Sequence, residues 1–253
     1  MKIVTYNLHF GGKARVHWHE VIEGFSPDIL LVQESYAPSE HLSPLLHRDK
    51  HEHAVWSAVE SNGKTMGWGS GVFAASHRPT PLRLPSFEGW VASAEIANFN
   101  CPDGQQRRMR IFSLHAPTGM GTYQKVVNAI LDTILEHRDG CDVIIGGDFN
   151  LTVGERHESE GRITRKADLT IQSRLREEFG LINCWQTANA DQPLPQTLRW
   201  VSNRSVPYHC DGLFVPATWS PHLKSCSVIS SSKWETLSDH NPVVAEFECK
   251  EAK

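Results

Sequence analysis

The sequence predicts an α/β layered domain with much of its sheet surface buried. Three observations predict it. Unbroken apolar runs recur, such as Ile29-Leu30-Leu31-Val32 and Val143-Ile144-Ile145. A strand buried on one face alternates apolar and polar residues, so unbroken runs imply cover on both faces. Amphipathic helical stripes lie between these runs and can supply that cover. Strand candidates also outnumber helices.

Taken in order, Ile3 to Leu8 reads as a strand ending in Tyr6-Asn7-Leu8-His9. Trp18, Val21, Ile22 and Phe25 keep helical spacing until Ser26-Pro27-Asp28 breaks it. Ile29 to Val32 is a second buried strand and runs into Gln33-Glu34. His53 to Glu60 and Gly71 to Ala75 are strand candidates separated by the Gly-rich stretch Lys64 to Gly69. Val91 to Asn98 and Arg110 to His115 flank Cys101-Pro102-Asp103-Gly104, a hairpin signal. From Tyr123 to Arg138, Val127, Ile130, Leu131, Ile134 and Leu135 form an apolar stripe. The Val143 run then stops at Gly146-Gly147-Asp148-Phe149-Asn150. Leu151 to Lys166 reads as a long polar surface loop and Ala167 to Phe179 as a helix. Strands resume at Leu198 to Val201, Tyr208 to Val215, Cys226 to Ile229 and Val243 to Cys249.

Length and composition bound the rest. The chain has 253 residues with 40% hydrophobic and 21% charged, ordinary values for a globular protein. It shows no linker, low-complexity tract or short repeat, so a single domain over 1–253 is expected. The formal net charge is -4, so nucleic-acid contact would rest on local basic patches rather than a bulk field. Polar residues interrupt the first segment too early for a secretory h-region, and no apolar run approaches membrane-spanning length. The six cysteines are scattered with no C-x-x-C pair, and read as free thiols in a reducing, cytoplasmic setting.

The apolar strands share one feature: each carries at one end a residue able to bind metal or move protons. Asn7 follows the first and Glu34 the second, and His115 ends the Arg110 strand. Asp148 and Asn150 close the Val143 strand, and their i, i+2 spacing in an extended chain would aim both the same way. An Asx turn is the structural alternative there. Asp211 stands at a strand start, and Asp239 and His240 precede the last strand. Each has a bland explanation alone, as a turn residue, a cap or a buried histidine. Gathered together, buried carboxylates are costly without a cation or protons. Carboxylates, amides and imidazoles form a hard-ligand set suited to Mg²⁺ or Mn²⁺ and to metal-assisted hydrolysis of a phosphate ester.

Six motifs occur in order: Thr5-Tyr6-Asn7, Val32-Gln33-Glu34, Ser113-Leu114-His115, Gly147-Asp148-Phe149-Asn150, Asp211 in its strand, and Ser238-Asp239-His240-Asn241-Pro242-Val243. This array resembles the endonuclease/exonuclease/phosphatase superfamily, the group of pancreatic deoxyribonuclease and the sphingomyelinases. The resemblance implies a four-layer α/β sandwich, two packed mixed β-sheets flanked by helices, and a divalent-metal phosphoesterase. It implies Glu34 as principal metal ligand with Asn7 beside it and Asp239 assisting. It implies Asp148 as the residue that orients or deprotonates water, with Asn150 helping. His240 would contact the scissile phosphate with Asp211 as its carboxylate partner. His115 stands where deoxyribonuclease-like members carry a histidine for the leaving oxygen; other members place tyrosine there.

For the substrate, Arg156, Arg162, Arg165, Lys166, Arg174 and Arg176 outnumber Glu155, Glu158, Glu160 and Asp168, and Arg107, Arg108 and Arg110 form a second basic cluster. Either ordinary solvated surface or phosphate contacts would explain them. Trp68 and Trp200 could stack on bases, with core packing an alternative for Trp200. The expectation is a monomeric nuclease or related phosphodiesterase acting on DNA or RNA. The alternatives are a hydrolase of a small or lipid-like phosphate ester, and a binding protein that has lost catalysis, against which the intact motif residues argue.

Overall fold

The computed structural model describes residues 1–10, 18–38, 50–61, 63–200 and 205–250. The elements are β1 (Lys2–Asn7), α1 (Trp18–Phe25), β2 (Ile29–Ser35), β3 (Ala54–Ser61), β4 (Lys64–Ala74), β5 (Thr80–Leu82), β6 (Val91–Asn100) and β7 (Gln106–His115). Then follow α2 (Tyr123–Glu136), β8 (Asp142–Asp148), α3 (Lys166–Glu177), β9 (Leu181–Asn183), α4 (Cys184–Ala188), β10 (Asp211–Pro216), β11 (Leu223–Val228), α5 (Ser232–Leu237) and β12 (Val243–Phe247).

The strands form two six-stranded sheets, ordered β11-β12-β1-β2-β4-β3 and β5-β6-β7-β8-β10-β9. Each sheet is mixed. β1 and β2 run parallel in the first and β7 and β8 in the second, with antiparallel neighbours outside them.

The pleat explains why the apolar runs are continuous. Inward residues Ile3, Leu31, Ile111, Ile144 and Leu213 pack between the sheets in one core. Their alternates Val143, Ile145, Phe112 and Leu114 face outward and meet the stripe of α2 (Val127, Ile130, Leu131, Ile134) and Ile171 and Leu175 of α3. On the other side Val4, Tyr6, Leu30 and Val32 meet Trp18, Val21 and Ile22 of α1. Helix, sheet, sheet and helix make the four layers expected. α1 stops where Ser26 takes a left-handed φ of 47° and Pro27 prevents continuation. α2 starts at Thr122, whose side chain accepts the Lys125 amide.

Three local expectations are corrected. Lys64 to Gly69 does not separate strands; it is the first half of β4. Its glycine serves close approach, since a Cβ on Gly69 would lie 1.8 Å from the Ser57 carbonyl oxygen across the β3–β4 pair. Leu151 to Lys166 is only partly a surface loop: Leu151, Thr152, Val153 and Gly154 are buried, and a 3₁₀ turn at Glu158–Glu160 is capped by His157. Leu198 to Val201 is not a strand. Leu198 makes isolated bridges to Tyr208 and His240, and Val201 lies outside the described residues. Two short strands, β5 and β9, had no periodicity to reveal them.

At the β8 end, Gly147 has φ 139°, and a Cβ there would meet the Leu114 carbonyl oxygen at 1.9 Å. Gly147→Ala therefore combines a left-sided φ with a backbone clash. It should destabilise the fold by about 3 kcal/mol, read as a lower urea midpoint at unchanged m-value. An unaltered midpoint would refute this account of the glycine.

Candidate active site

The pleat that builds the core also builds the site. On β1 the inward row runs Ile3, Thr5, Asn7; on β7, Ile111, Ser113, His115; on β8, Ile144, Gly146, Asp148; on β10 it starts at Asp211. Apolar side chains fill the middle, and small or polar ones follow. Gln33 donates to Ser113 Oγ (2.9 Å) and Thr5 Oγ1 (3.2 Å), and Ser113 donates to the Val32 carbonyl (2.8 Å), tying the sheets together. One further step along each strand reaches the chemistry. His115 and Asp211 each stand in register with Asp148, forming a row across three neighbouring strands.

Glu34 breaks this parity. Alternation would send it outward with Leu30 and Val32. Its φ is 49°, and the β2–β4 register shifts between Val32 and Ser35. The bulge turns its carboxylate back to the site, where Oε1 accepts from Asn7 Nδ2 (3.0 Å). Asn7 Nδ2 also donates to Asp148 Oδ2 (3.2 Å), so one amide binds both carboxylates. His115 Nε2 lies 3.5 Å from Glu34 Oε1 and 3.9 Å from Asp148 Oδ2, while its Nδ1 is buried without a hydrogen-bond partner among the described residues. Trp68 and Trp90 flank that imidazole, with ring centroids at 5.8 and 5.3 Å.

His240 closes the other side. Its Nδ1 sits 2.9 Å from Asp211 Oδ2, and its Nε2 lies 3.8 Å from Asp148 Oδ2. Burial alone would depress its pKa, but the charges of Asp211 and Asp148 outweigh burial and push it up to about 10. The ring is therefore an imidazolium at neutral pH and donates to Asp211. The Asp148 carboxyl is raised above the usual range by burial and then by the Asp211 charge. Asp239 stands at the rim, 2.8 Å from His9 Nδ1 and 4.0 Å from His240 Nε2. Burial works to raise its pKa, but the contact to His9 and the charges of His240 and His9 prevail and hold it low.

Asn150 departs from the expected geometry. Its φ is 52°, so the chain is no longer extended there and the i, i+2 argument fails. Its backbone N–H donates to Asp148 Oδ1 (2.9 Å) as an Asx turn, and its Nδ2 donates to the Ala116 carbonyl (3.0 Å). The turn and the site coexist, because the turn uses Oδ1 of Asp148 and leaves Oδ2 for the cluster. Asn150 thus borders the cluster, while Asn7, Glu34, His115, Asp148, Asp211 and His240 meet within it.

Further residues hold these groups, and of them only Ser238 and Asn241 stand in a motif quoted from the sequence. Arg199 is buried and its guanidinium bonds the Ser238 carbonyl (2.5 Å), the His240 carbonyl (3.1 Å) and Asn241 Oδ1. Thr197 Oγ1 accepts the amides of Cys210 (2.9 Å) and Asp211 (3.1 Å). The Ser238 hydroxyl donates to the Asn7 carbonyl (2.7 Å). His9, whose own φ is 53°, places its Nδ1 against Asp239. Local sequence marks none of these long-range contacts.

The donor set fits a divalent metal. Ligand atoms of Glu34, His115 and Asp148 lie within 4.8 Å of one another. Among the described residues the ion-pair partners of Glu34, Asp148 and Asp211 are histidines. A second group, Asp148, Cys210, Asp211 and His240, meets the same spacing. Its thiol donates to Asp211, and burial holds its pKa well above the ordinary value, so it serves as a hydrogen-bond network.

The model of the endonuclease/exonuclease/phosphatase family matches residues 4–240, from β1 to His240. The chain belongs to this family. A phosphoesterase that depends on a divalent metal is the activity class this membership carries. The sequence has no significant match among curated proteins. Its fold is similar to that of an AP endonuclease from Archaeoglobus fulgidus, at 17% identity over 98% of this chain and 99% of that one, with a TM-score of 0.71. It is similar to the 3'-5' exonuclease NExo from Neisseria meningitidis, at 17% identity over 98% and 100%, TM-score 0.68. It is also similar to the 3' phosphatase NExo from Neisseria bound to product DNA hairpin, at 18% identity over 98% and 99%, TM-score 0.67. At these identities the likeness is one of fold.

The His240–Asp211 pair carries a pH signature. His240 is raised in the folded protein from 6.5 to about 10. Its stabilisation should be fully present below pH 6.5 and be lost as pH climbs through about 10. In Asp211→Asn that alkaline decline should shrink, measured as urea midpoints from pH 6 to 10.5. Superimposable profiles for the two proteins would contradict the pairing.

Proposed function

We propose that this family member hydrolyses phosphodiester bonds in nucleic acid, using Mg²⁺ or Mn²⁺ bound on the Glu34 side. The observation that carries the reading is the Asp148 carboxylate, buried among Asn7, His115 and a cationic His240. Glu34 would hold the metal, with Asn7 and Asp239 as the further expected ligands, and a bound metal would supply neutralisation of charge on the phosphate oxygens. The His115 nitrogen beside Glu34 suits Mn²⁺ better than Mg²⁺.

The chain's own groups do the rest. Asp148, with its pKa raised, is a stronger base than a solvated carboxylate and accepts the proton of the attacking water. The Asn150 amide on Oδ1 fixes the orientation of that carboxylate. The imidazolium of His240, steadied by Asp211, donates to a non-bridging oxygen where negative charge develops. His115, walled by Trp68 and Trp90, serves the leaving oxygen.

The nucleic-acid reading draws support from relatives named for AP endonuclease, exonuclease and 3' phosphatase activity, one of them bound to a DNA hairpin. A small or lipid-like phosphate ester is the second reading. The net charge of -4 favours it, as does the pairing of the Arg107–Arg110 cluster. Arg107 pairs with Asp103, Arg108 with Asp139 and Arg110 with Glu95, and Arg108 is roughly 23 Å along an extended strand from His115. Among the described residues no helix is long and apolar enough to cross a membrane. The cysteines are free and all but Cys249 are buried, which fits a reducing cytoplasm; we take the chain as a monomer there.

Plasmid DNA, single-stranded RNA, abasic duplex and bis-p-nitrophenyl phosphate, each with Mg²⁺, Mn²⁺ or EDTA, test the proposal. Turnover should be EDTA-sensitive and fall at least about a hundredfold in Asp148→Asn and in His240→Ala. Unchanged rates in both variants would sink these roles, and turnover confined to the small diester would favour the second reading. Independently of activity, Mn²⁺ should raise the Tm of the wild type and not of Glu34→Gln. An equal rise in both would remove Glu34 as a ligand.

A further inference from the structure

A cavity of about 670 Å³ opens beside Asn150, between the start of α2, the segment before α3, and Leu198, Trp200, Val206 and Tyr208. The size lies within the ~300–1,000 Å³ range of small-ligand sites, room for one nucleotide. Its wall combines two chemistries. Trp200 is 58% exposed and stacks on Tyr208 at 6.4 Å and 20°. Tyr208 in turn donates its hydroxyl to the Asn150 carbonyl (2.8 Å), tying the aromatic pair to the catalytic strand end.

Arg162 and Arg165 supply the second chemistry. The other arginines of the basic run are spent: Arg156 on Glu160, Arg174 on Asp132 and Glu178, Arg176 on Glu177. Arg162 and Arg165 are exposed, line the cavity, and have no ion-pair partner among the described residues. Asp168 is also in the wall, but it is buried, and its oxygens accept from Gln124 Nε2 and the Thr152 amide. Two bare guanidinium groups beside an open indole recognise phosphate and base together. In a chain of net charge -4, such a local pair is what can hold a polyanion.

We propose that this cavity is a subsite for an unpaired nucleotide next to the scissile phosphate, its base on Trp200 and its phosphate on Arg162 and Arg165. A base must leave a duplex stack to lie on an indole, so the subsite favours single strands and frayed ends over blunt duplex. The inference rests on the nuclease reading for its substrate class.

Fluorescence anisotropy in EDTA tests it, with a labelled 12-nucleotide single-stranded DNA and the blunt duplex of the same sequence. Trp200→Ala should weaken single-strand binding about tenfold and duplex binding far less, while Trp200→Phe retains binding. Arg162→Ala with Arg165→Ala should lower the salt slope for the single strand by about 1.4. All three variants should hydrolyse bis-p-nitrophenyl phosphate with Mn²⁺ as the wild type does. Equal loss on single strand and duplex, failure of phenylalanine to retain binding, or an unchanged salt slope would overturn the subsite. Competition by free dAMP at the strand's own concentration would assign the cavity to mononucleotides and overturn it too. Single-strand binding with the expected variant pattern, but no diester turnover by the wild type, would uphold the subsite and sink the phosphoesterase reading instead.

Discussion

The site depends on a carboxylate held where water cannot solvate it. Asp148 is 2% exposed and has another buried carboxylate, Asp211, directly across the strand pair. Two buried negative charges side by side are unfavourable by several kcal/mol unless neighbours compensate. Compensation comes from the Asn7 amide, the Asn150 N–H and the imidazolium of His240. The same arrangement that makes Asp148 costly to bury makes it basic, and the charge that steadies it is the imidazolium of His240.

Register delivers that arrangement. β7, β8 and β10 bring His115, Asp148 and Asp211 into one row, and β1 presents Asn7 from the facing sheet. Because the inward rows below them are apolar and close-packed, the polar ends inherit the rigidity of the core. Glu34 is the exception, aimed by a bulge and a positive φ rather than by the pleat. Backbone strain at that position has a use, since it lets a residue of the outward parity join the inward set.

The loops complete the site through long-range bonds. Thr197 and Arg199 fasten the β10 start and the Ser238–Asn241 segment to one strap, so His240 from one sheet reaches Asp211 from the other. Arg107, Arg108, Arg110, Arg156 and Arg174 are held in ion pairs. Arg162 and Arg165, which have no ion-pair partner among the described residues, stand on the wall shared with Trp200.

The sequence by itself determined the layered fold and most of the cluster. Unbroken runs such as Ile29 to Val32 report burial on both faces, and strand ends with Asn7, His115 and Asp148 report a polar site, because pleat and periodicity are local properties. It did not determine the direction of Glu34, the Asx turn at Asn150, or the support given by His9, Thr197 and Arg199. Those rest on positive φ angles and on partners up to more than two hundred residues away, such as Ser238 on Asn7. Nor could it separate free arginines from paired ones. Arg156 and Arg162 look alike in the chain and line the same cavity, and only the fold sets Glu160 against the first and leaves the second without an ion-pair partner among the described residues. Pairing is decided by which elements pack together, and that information resides in tertiary structure.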